Sequence, residues 1–347
     1  MATDSFIPIS LEDFYSTTPL GAVDRAVTKT VYGINHRQTD PHLPPNRDSV
    51  GLLFMTRPQL NLDSNNIRAA RRLYKLLSDN PLSIERFVRV TLDPRLQTNA
   101  FDREPLRCPL VDPHQAFIPL VTNTAKGASG WPDLTVDTYT SPAGNYKEQY
   151  SQVDGISDIY EAWSLDITFK NTGMNILLYM FYIWNIYQSL VFEGKLLPYP
   201  DYLSYNTIDY MTRVYRITLD SYKNRVTMIS STGVSFPTTA PIGGFFDYNK
   251  DRPYNEQIKE ITIRFQSLGA RYMDDILLYE FNKAVQIFNP YMSDKQRGDN
   301  MVKLTGDWKT VFNNKGYPRI DYDTLELEWW VFKEDFERKK RLLGDFL

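Results

Sequence analysis

The chain has 347 residues, and its 42% hydrophobic and 23% charged residues are typical of a soluble globular protein with one large domain or two ordinary ones. A formal net charge of −3 excludes strong attraction of nucleic acid over the whole surface, and a single cysteine, Cys108, excludes an intrachain disulfide. Aromatic residues are unusually frequent at 14%, and they suit both a protein core and the interfaces between subunits.

Residues 1–48 show little periodicity and are predicted to form an extended N-terminal arm. Three prolines lie close together near the end of this arm, at positions 41, 44 and 45. Arms of this composition often become ordered only on a partner. Residues 1–10 contain neither a basic nor an apolar stretch, so we expect no secretory signal there.

The next segment, residues 49–92, is predicted to contain a strand, a helix and a second strand. The first strand must end, or lie at a sheet edge, at Pro58, because proline has no backbone N–H to donate to a ladder. Asp63 or Ser64 is expected to cap a helix over residues 65–77, whose apolar positions follow the helical period.

Residues 93–155 are rich in proline, glycine, asparagine and aspartate, and the prolines fall at irregular intervals. A loop of this length inside a domain is uncommon and usually functional. We therefore predict a loop-rich insertion on the surface, with short pieces of strand or helix.

Residues 156–290 are predicted to form the core of the protein. An alternating strand around residues 163–169 leads into an extremely aromatic helix, Asn175–Phe192. Its nine consecutive apolar residues, 176–184, are fewer than the roughly 20 that a membrane span needs. Polar residues then follow on one stripe, so we predict a buried helix and no membrane insertion.

Two further strands, a loop, a strand and a helix complete this core. Residues 208–219 and 225–230 are predicted to pair across a turn, and residues 233–244 to form an irregular loop. A strand is predicted over residues 258–266. A helix is then predicted over residues 272–288, with its buried face formed by Leu277, Phe281, Ala284, Val285 and Phe288.

The remaining residues, 291–347, fit two patterns. Residues 325–329 alternate as in a strand, whereas Leu325, Trp329, Phe332 and Phe336 also follow a helical stripe. An acidic start resembling a capping box and a basic end favour the helix. We therefore predict a C-terminal helical extension.

Residues that could carry chemistry are scarce. The histidines His36, His42 and His114 have no cysteine support for a metal site, and Asp247–Asp251 starts like a calcium loop that lacks its glycine and its closing glutamate. No nucleophile motif and no phosphate-binding glycine loop is present. The adjacent acids Asp274–Asp275 fit a helix start. We predict no catalytic, cofactor-binding or metal-binding residues, and no cofactor.

One mildly basic stretch deserves two interpretations. Residues 65–107 contain nine lysines and arginines against five acids, and Arg68, Arg71, Arg72 and Lys75 could line one side of a helix. They could contact a phosphate or an acidic partner. They could equally form a solvated helix face, which we favour because nucleic-acid binders usually have a stronger basic excess.

Several strings resemble virion structural proteins of large bacteriophages with contractile tails. They are Gly51–Leu62, Asp137–Glu148, Ile208–Tyr215 and Gly233–Pro237. The order of strand, aromatic helix, hairpin, strand and helix in 156–290 is also similar to the tail-tube type of fold. That resemblance implies a small β-sandwich or barrel, flanked by a helix, that assembles into rings.

Together these features predict an α+β fold: a mostly antiparallel sandwich or barrel with packed helices, extended arms and a loop insertion. The resemblance implies a structural tail protein, not an enzyme, at the tube, the tube initiator or the baseplate. It would be a late protein, made in the host cytoplasm and located in the virion. Its expected partners are itself, in a homo-oligomeric ring with six as the candidate number, other tail or baseplate proteins, and passing DNA by passive contact.

Three alternatives stay open from the sequence. One is a neck or connector structural protein. Another is a tail-associated enzyme acting on cell-wall glycan, because long loops could form a cleft and acidic pairs could supply acid and base. The third is a cellular β-rich binding module unrelated to phages.

Overall fold

The computed structural model describes residues 50–98, 105–156, 160–205, 207–220, 222–246, 250–251 and 259–343. All of them belong to one unit, Val50–Leu347. The predicted N-terminal arm, residues 1–48, lies outside the described residues. The same holds for residues 247–249 of the calcium-like sequence.

The order of the elements is mixed. The strands are β1 (Val50–Met55), β2 (Ala125–Ser129), β3 (Asp137–Thr140), β4 (Ser151–Gly155), β5 (Ala162–Lys170), β6 (Val214–Leu219), β7 (Val226–Pro237), β8 (Glu260–Tyr272), β9 (Met301–Lys303), β10 (Tyr317–Ile320) and β11 (Leu327–Phe332). The α-helices are α1 (Ser64–Arg68), α2 (Ile84–Leu92), α3 (Pro119–Thr124), α4 (Ile176–Phe192), α5 (Pro200–Tyr205), α6 (Gly243–Phe246), α7 (Asp275–Phe288), α8 (Arg297–Asn300), α9 (Trp308–Val311) and α10 (Lys333–Leu343). Short 3₁₀ turns occupy Arg71–Leu77, Pro94–Gln97, Gly173–Asn175 and Pro290–Met292.

A six-stranded antiparallel sheet organises the unit, in the order β1-β6-β7-β8-β5-β2. Strands β5 and β8 pair without a register shift from Ala162 opposite Leu268 to Lys170 opposite Glu260. Strands β1 and β2 precede residue 156 in the chain, and they form the two ends of this sheet. The sheet is therefore not confined to residues 156–290, and the segment boundaries stay a prediction.

Helix α4 covers one face of the sheet. Alternate residues of β5 and β8 are buried beneath it, because side chains along a strand point to opposite faces. The ring of Phe181 in α4 lies 5.6 Å from that of Phe169 and 5.7 Å from that of Phe265. The aromatic run of the sequence is thus the centre of the core, and the predicted buried helix is confirmed.

Helix α7 covers the opposite face over β1, β6 and β7. The Phe281 ring of α7 lies 5.2 Å from the ring of Phe54 in β1, 5.4 Å from that of Tyr215 in β6 and 4.9 Å from that of Phe117. Asp274 caps this helix by accepting a hydrogen bond from the Ile276 backbone N–H. The predicted buried face is confirmed at Leu277, Phe281 and Val285, whereas Ala284 and Phe288 are half-buried.

A small antiparallel sheet, in the order β10-β11-β9, packs beside α7. The Asn282 side chain of α7 donates to the Ile320 carbonyl oxygen and accepts from its N–H, at 2.7 and 2.9 Å. The buried Glu328 carboxylate in β11 accepts hydrogen bonds from Lys303 and Arg319. These polar contacts tie the three strands to one another and to the main body.

The α+β class with a mostly antiparallel sheet is confirmed, but several local predictions were wrong. The second strand predicted within 49–92 is helix α2, because Ser83 caps it by accepting from the Arg86 N–H and its apolar residues follow a helical period. Residues 327–332 form strand β11, not helix, because they pair with β10 and β9 on both sides. The helical prediction holds only from Lys333.

Three strand boundaries also differ from the predictions. Strand β7 continues through residues 233–237, which we expected to form a loop, because β8 pairs with it that far. Strand β8 likewise extends to Tyr272, so α7 begins at Asp275. Residues 208–213 precede β6 and were wrongly included in it.

Candidate assembly surface

The residues weighed for chemistry do not converge in the structure. Cys108 is buried, and the His114 ring packs edge-on against the Phe332 ring at 5.5 Å. His36 and His42 lie outside the described residues. Among the residues that the structure describes, no three His, Cys, Asp or Glu side chains are grouped so as to hold a metal ion.

A buried polar network lies along Gly51–Leu62, one of the strings that resemble phage structural proteins. The Arg57 guanidinium donates to the Thr91 and Val90 carbonyl oxygens at 3.1 and 2.6 Å. The Asp93 carboxylate, completely buried, accepts from the Leu62 N–H and the Tyr199 hydroxyl, each at 2.8 Å. Burial raises the pKa of Asp93 to about 7 against these hydrogen bonds.

This network gives the string a structural role. Arg57, in the irregular stretch between β1 and α1, satisfies backbone carbonyl groups in the last turn of α2, and Asp93 satisfies the Leu62 N–H of that stretch. The sequence analysis missed it, because residues that bond to each other are separated by up to 106 positions, as Asp93 and Tyr199 are. No ligand-accessible chemistry follows from it.

One exposed feature of the fold is a β-hairpin formed by β3 and β4. Contacts with the main sheet hold its base. Gly130, at φ +97°, ends β2 where an added Cβ would lie 2.4 Å from the Ser164 carbonyl oxygen. The Trp131 ring then packs on the Trp163 ring at 5.2 Å. The Tyr272 hydroxyl donates to the Pro132 carbonyl oxygen at 2.5 Å.

Beyond this base, the hairpin is exposed along its length. Strands β3 and β4 form a two-stranded sheet of their own, and all their residues but Gly155 are exposed. Tyr139, Tyr146 and Tyr150 are 51%, 94% and 65% exposed. Val153, on the other face from Tyr139 by register, is 69% exposed.

The tip of the hairpin is held by its own hydrogen bonds. The Ser141 N–H donates to the Tyr150 carbonyl oxygen at 2.8 Å, and the Gly144 N–H to the Glu148 carbonyl oxygen at 2.9 Å. The Glu148 carboxylate accepts from the Tyr146 N–H at 2.7 Å. The tip is therefore preorganised, which lowers the entropy cost of docking it on a partner.

A hairpin without a covering layer is at best marginally stable in water. This one keeps tyrosine and valine side chains in solvent on both faces, and tyrosine is enriched at the centres of protein interfaces. Its arrangement therefore suits docking onto another protein chain.

The main sheet also presents an open polar face, on the half that α7 leaves uncovered. On this face the Arg264 guanidinium pairs with the Asp166 carboxylate at 2.9 Å, and Lys126 pairs with Glu260. Thr168 lies opposite Thr262, with their hydroxyl oxygens 3.0 Å apart. Opposite charges thus neutralise each other on this face, between the neighbouring strands β5 and β8 and between β2 and β8.

The family assignment comes from comparison with known proteins. Residues 4–343 match a family model whose description is "Putative phage tail tube protein". The chain belongs to this tail tube family. The predicted resemblance to phage tail proteins is thereby confirmed, and the chain is a structural component of a phage tail.

Solved structures of contractile injection systems are also similar, but only distantly. The anti-feeding prophage cap, a tube terminating cap, is 12% identical over 46% of this chain and 82% of that chain, with a TM-score of 0.28. A PVC sheath/tube terminator is 9% identical over 46% and 88%, with a TM-score of 0.26. A PVC sheath-tube complex is 11% identical over 46% and 82%, with a TM-score of 0.27. These scores are too low to support an argument about this chain, and no curated protein matches it.

The exposed hairpin is an element that the sequence analysis missed. We expected short strands within 93–155 but did not pair them. A signal was present, because alternating residues at 137–140 and 151–155 flank a turn that contains proline, glycine and asparagine. Within the described part of this tail protein, no helix is both long and apolar enough to cross a membrane.

Proposed function

We propose that this chain forms rings of identical subunits that stack as the wall of a phage tail tube. The observation that carries the proposal is the preorganised, exposed hairpin of β3 and β4 on a member of the tail tube family. If the hairpin of each copy docks on a different surface of the next copy, the contact between copies is heterologous. Such contacts generate rings when the rotation closes, with six the expected number of copies.

The edges of the main sheet support contact within a ring. Among the described residues, β2 pairs on one side only, with β5, and β1 lies at the other end of the sheet. The far end of β1 is partly covered, because the Met55 carbonyl oxygen accepts from the Ile118 N–H. Strand addition at these edges would extend the sheet from one copy to the next.

The open polar face supports an inward position, toward the lumen. Its cations Arg264 and Lys126 are already paired with carboxylates. Paired cations release few counterions from DNA, so passing DNA would be held weakly by this face. In this arrangement contact with DNA is passive, and other tail or baseplate proteins bind the ends of the tube.

The proposal also assigns the chain its time and place. As a late protein it would be made in the host cytoplasm and then incorporated into the virion tail, where other tail components limit the length of the stack. A station at the tube initiator or the baseplate would use the same ring and the same hairpin with a different partner on one side.

Sedimentation velocity of the purified protein tests the role of the hairpin. The variant Tyr139→Ser, Tyr146→Ser, Tyr150→Ser removes three exposed anchors, each expected to contribute about 1–2 kcal/mol to docking. Assembly should weaken roughly a hundredfold or more, leaving the 40.4 kDa monomer.

A matched control removes exposed apolar groups elsewhere. Tyr222 and Leu342 are 57% and 79% exposed and belong to neither the hairpin nor the main sheet. The variant Tyr222→Ser, Leu342→Ser should assemble like wild type. If both variants assemble as wild type does, the hairpin has no part in assembly and the proposal fails.

A further inference from the structure

An apolar groove opens on the α4 side of the molecule, far along the chain from the hairpin. Its cavity measures about 520 Å³ and is lined by residues of α2, α4 and α6, among them Ile84, Leu178, Tyr179, Tyr182 and Phe245. At its rim, the side chains of Met174 and Phe246 are 79% and 80% exposed. Such a groove has the chemistry to receive an aromatic side chain.

The groove contains an unused hydrogen-bonding group. The Tyr179 hydroxyl is buried and makes no hydrogen bond to any described residue. Burial, with the neighbouring Glu85 carboxylate, raises the pKa of Tyr179 to about 12, so this hydroxyl keeps its proton. A buried polar group without a partner is costly, and an incoming polar atom would remove that cost.

A basic row adjoins the groove and contains the four cations considered from the sequence. Arg68, Arg71, Arg72 and Lys75 are all exposed, and none forms an ion pair with another described residue. Lys75 belongs to both features, since it also lines the groove. The basic row and the groove therefore make one continuous surface, apolar at one side and positively charged at the other.

The hairpin segment has the complementary composition. Residues 131–156 contain four acidic side chains and one lysine, which gives a net charge of −3. The most exposed of its tyrosines, Tyr146, lies at the tip beside Glu148. An aromatic ring next to carboxylates matches a groove next to a basic row.

We propose that the hairpin of one copy docks on the groove and basic row of a second copy. Among the described residues of one chain the hairpin is exposed and the groove is open, so we place their contact between copies. The tip tyrosine enters the groove near the Tyr179 hydroxyl, and the acidic groups face the basic row. This inference rests on the proposed assembly of copies and names the surface that the hairpin binds.

Cross-linking of two single-cysteine variants tests the docking directly. Variants Asn145→Cys and Phe246→Cys are mixed and treated with a short bismaleimide, so that the tip tyrosine Tyr146 stays in place. Cys108 is buried and should stay unreacted. The mixture should give a cross-linked dimer, whereas each variant alone should give little. Absence of a dimer from the mixture, under conditions where wild type assembles, overturns the inference and leaves the proposed ring assembly intact.

Charge reversal with rescue supplies an independent test. Arg71→Glu, Arg72→Glu should weaken assembly about tenfold, because it replaces attraction by repulsion at the basic row. Combining it with Asp154→Lys in β4 of the hairpin, which leaves the Glu148 contact at the tip intact, should restore part of the loss. Weakening without rescue would mean that the basic row meets a different partner, which contradicts the inference.

The outcomes separate this inference from the ring proposal. A cross-linked dimer without rings supports the docking and refutes ring assembly. The N-terminal segment, residues 1–49, is the competing occupant. The reactivity of Phe246→Cys with a maleimide reagent in the assembled protein distinguishes the two. If removal of residues 1–49 raises this reactivity and hairpin substitutions do not, the groove binds the N-terminal segment and the inference is wrong.

Discussion

Substitution of Glu328 by glutamine perturbs the ion network that holds the C-terminal sheet. The Glu328 carboxylate accepts hydrogen bonds from the Lys303 ammonium, the Arg319 guanidinium and the Trp330 indole N–H, each at 2.9 Å. Its side chain is only 9% exposed. The glutamine amide can accept at its oxygen, but its NH₂ group then faces one of these donors.

The expected cost follows from what remains after the substitution. Removing one member of a buried ion pair typically costs about 3–5 kcal/mol, because it leaves an uncompensated charge. Here Arg319 keeps Asp321 at 3.0 Å and Lys303 keeps Glu326 at 2.8 Å. We therefore expect Glu328→Gln to lower the free energy of unfolding by about 2–3 kcal/mol.

Chemical denaturation at pH 7 measures this loss, and Glu326→Gln is the matched control. Among the described residues, Glu326 forms an ion pair only with Lys303, and its side chain is 33% exposed, so its substitution should cost less than about 1 kcal/mol. Equal losses in the two variants would refute the argument that burial and multiple donors make Glu328 important.

The pH dependence of the free energy of unfolding tests whether the ionised Glu328 carboxylate stabilises the fold. Burial alone would raise the pKa of Glu328, but the hydrogen bonds from Lys303, Trp330 and Arg319 hold it below its ordinary value of 4.5. The stabilisation is therefore present above pH 4.5 and is lost as the pH falls through the lowered pKa. The difference between wild type and Glu328→Gln should shrink as the pH falls below 4.5 and through the lowered pKa.

Three further predictions address the core, the sheet and the buried network. In denaturant unfolding, Phe181→Ala should lower the free energy of unfolding by about 3–5 kcal/mol, because its ring is fully buried under the sheet. Phe192→Ala, at a 93% exposed position, should change it by less than about 0.5 kcal/mol. Gly233→Ala should lower the midpoint of thermal unfolding, at a cost of about 1–3 kcal/mol, because its Cβ would lie 2.7 Å from a carbonyl oxygen of β8. Gly127→Ala, with open space around its Cβ, should leave the midpoint unchanged, and equal midpoints in the two variants would contradict the close approach of the strands. Because the pKa of Asp93 is raised to about 7 by burial, the folded protein binds that proton more tightly, so the free energy of unfolding should fall as the pH rises from about 5 to 8, and Asp93→Asn should flatten this profile.

The sequence predicts the buried core well where its periodicity is strong. The alternation in β5 and the unbroken apolar run of α4 locate the two layers that meet at Phe181. Of the two expected caps, Asp63 and Ser64, the structure has Asp63 as the cap of α1, since its side chain accepts from the Asn65 N–H. In each case the signal is local, because neighbouring residues carry both the pattern and the structure.

Local patterns fail where distant pairing decides the conformation. Residues 327–332 fit both a strand and a helix, and the neighbours β9 and β10 select the strand. The second strand predicted in 49–92 fails for a different reason, because Ser83 begins a helix whose cap was not recognised. The buried Asp93 network could not be foreseen, because nothing in one sequence places Tyr199 beside it.

The candidate assembly surface was likewise only partly predictable from the sequence. The basic row was visible from the sequence, because its four cations lie within eight consecutive positions, 68–75. The groove was not, because it joins residues from positions 75 to 246. The exposed hairpin lay within an insertion that we predicted to lie on the surface with short pieces of strand or helix, but the pairing of β3 with β4 was not predicted.

Negative-stain electron microscopy of the purified protein over a concentration series tests the central claim most directly. The account predicts closed rings at low concentration and stacks or tubes of rings as the concentration rises, since one heterologous contact is repeated in every copy. Particles that remain dispersed monomers of 40.4 kDa at the highest concentration would contradict it.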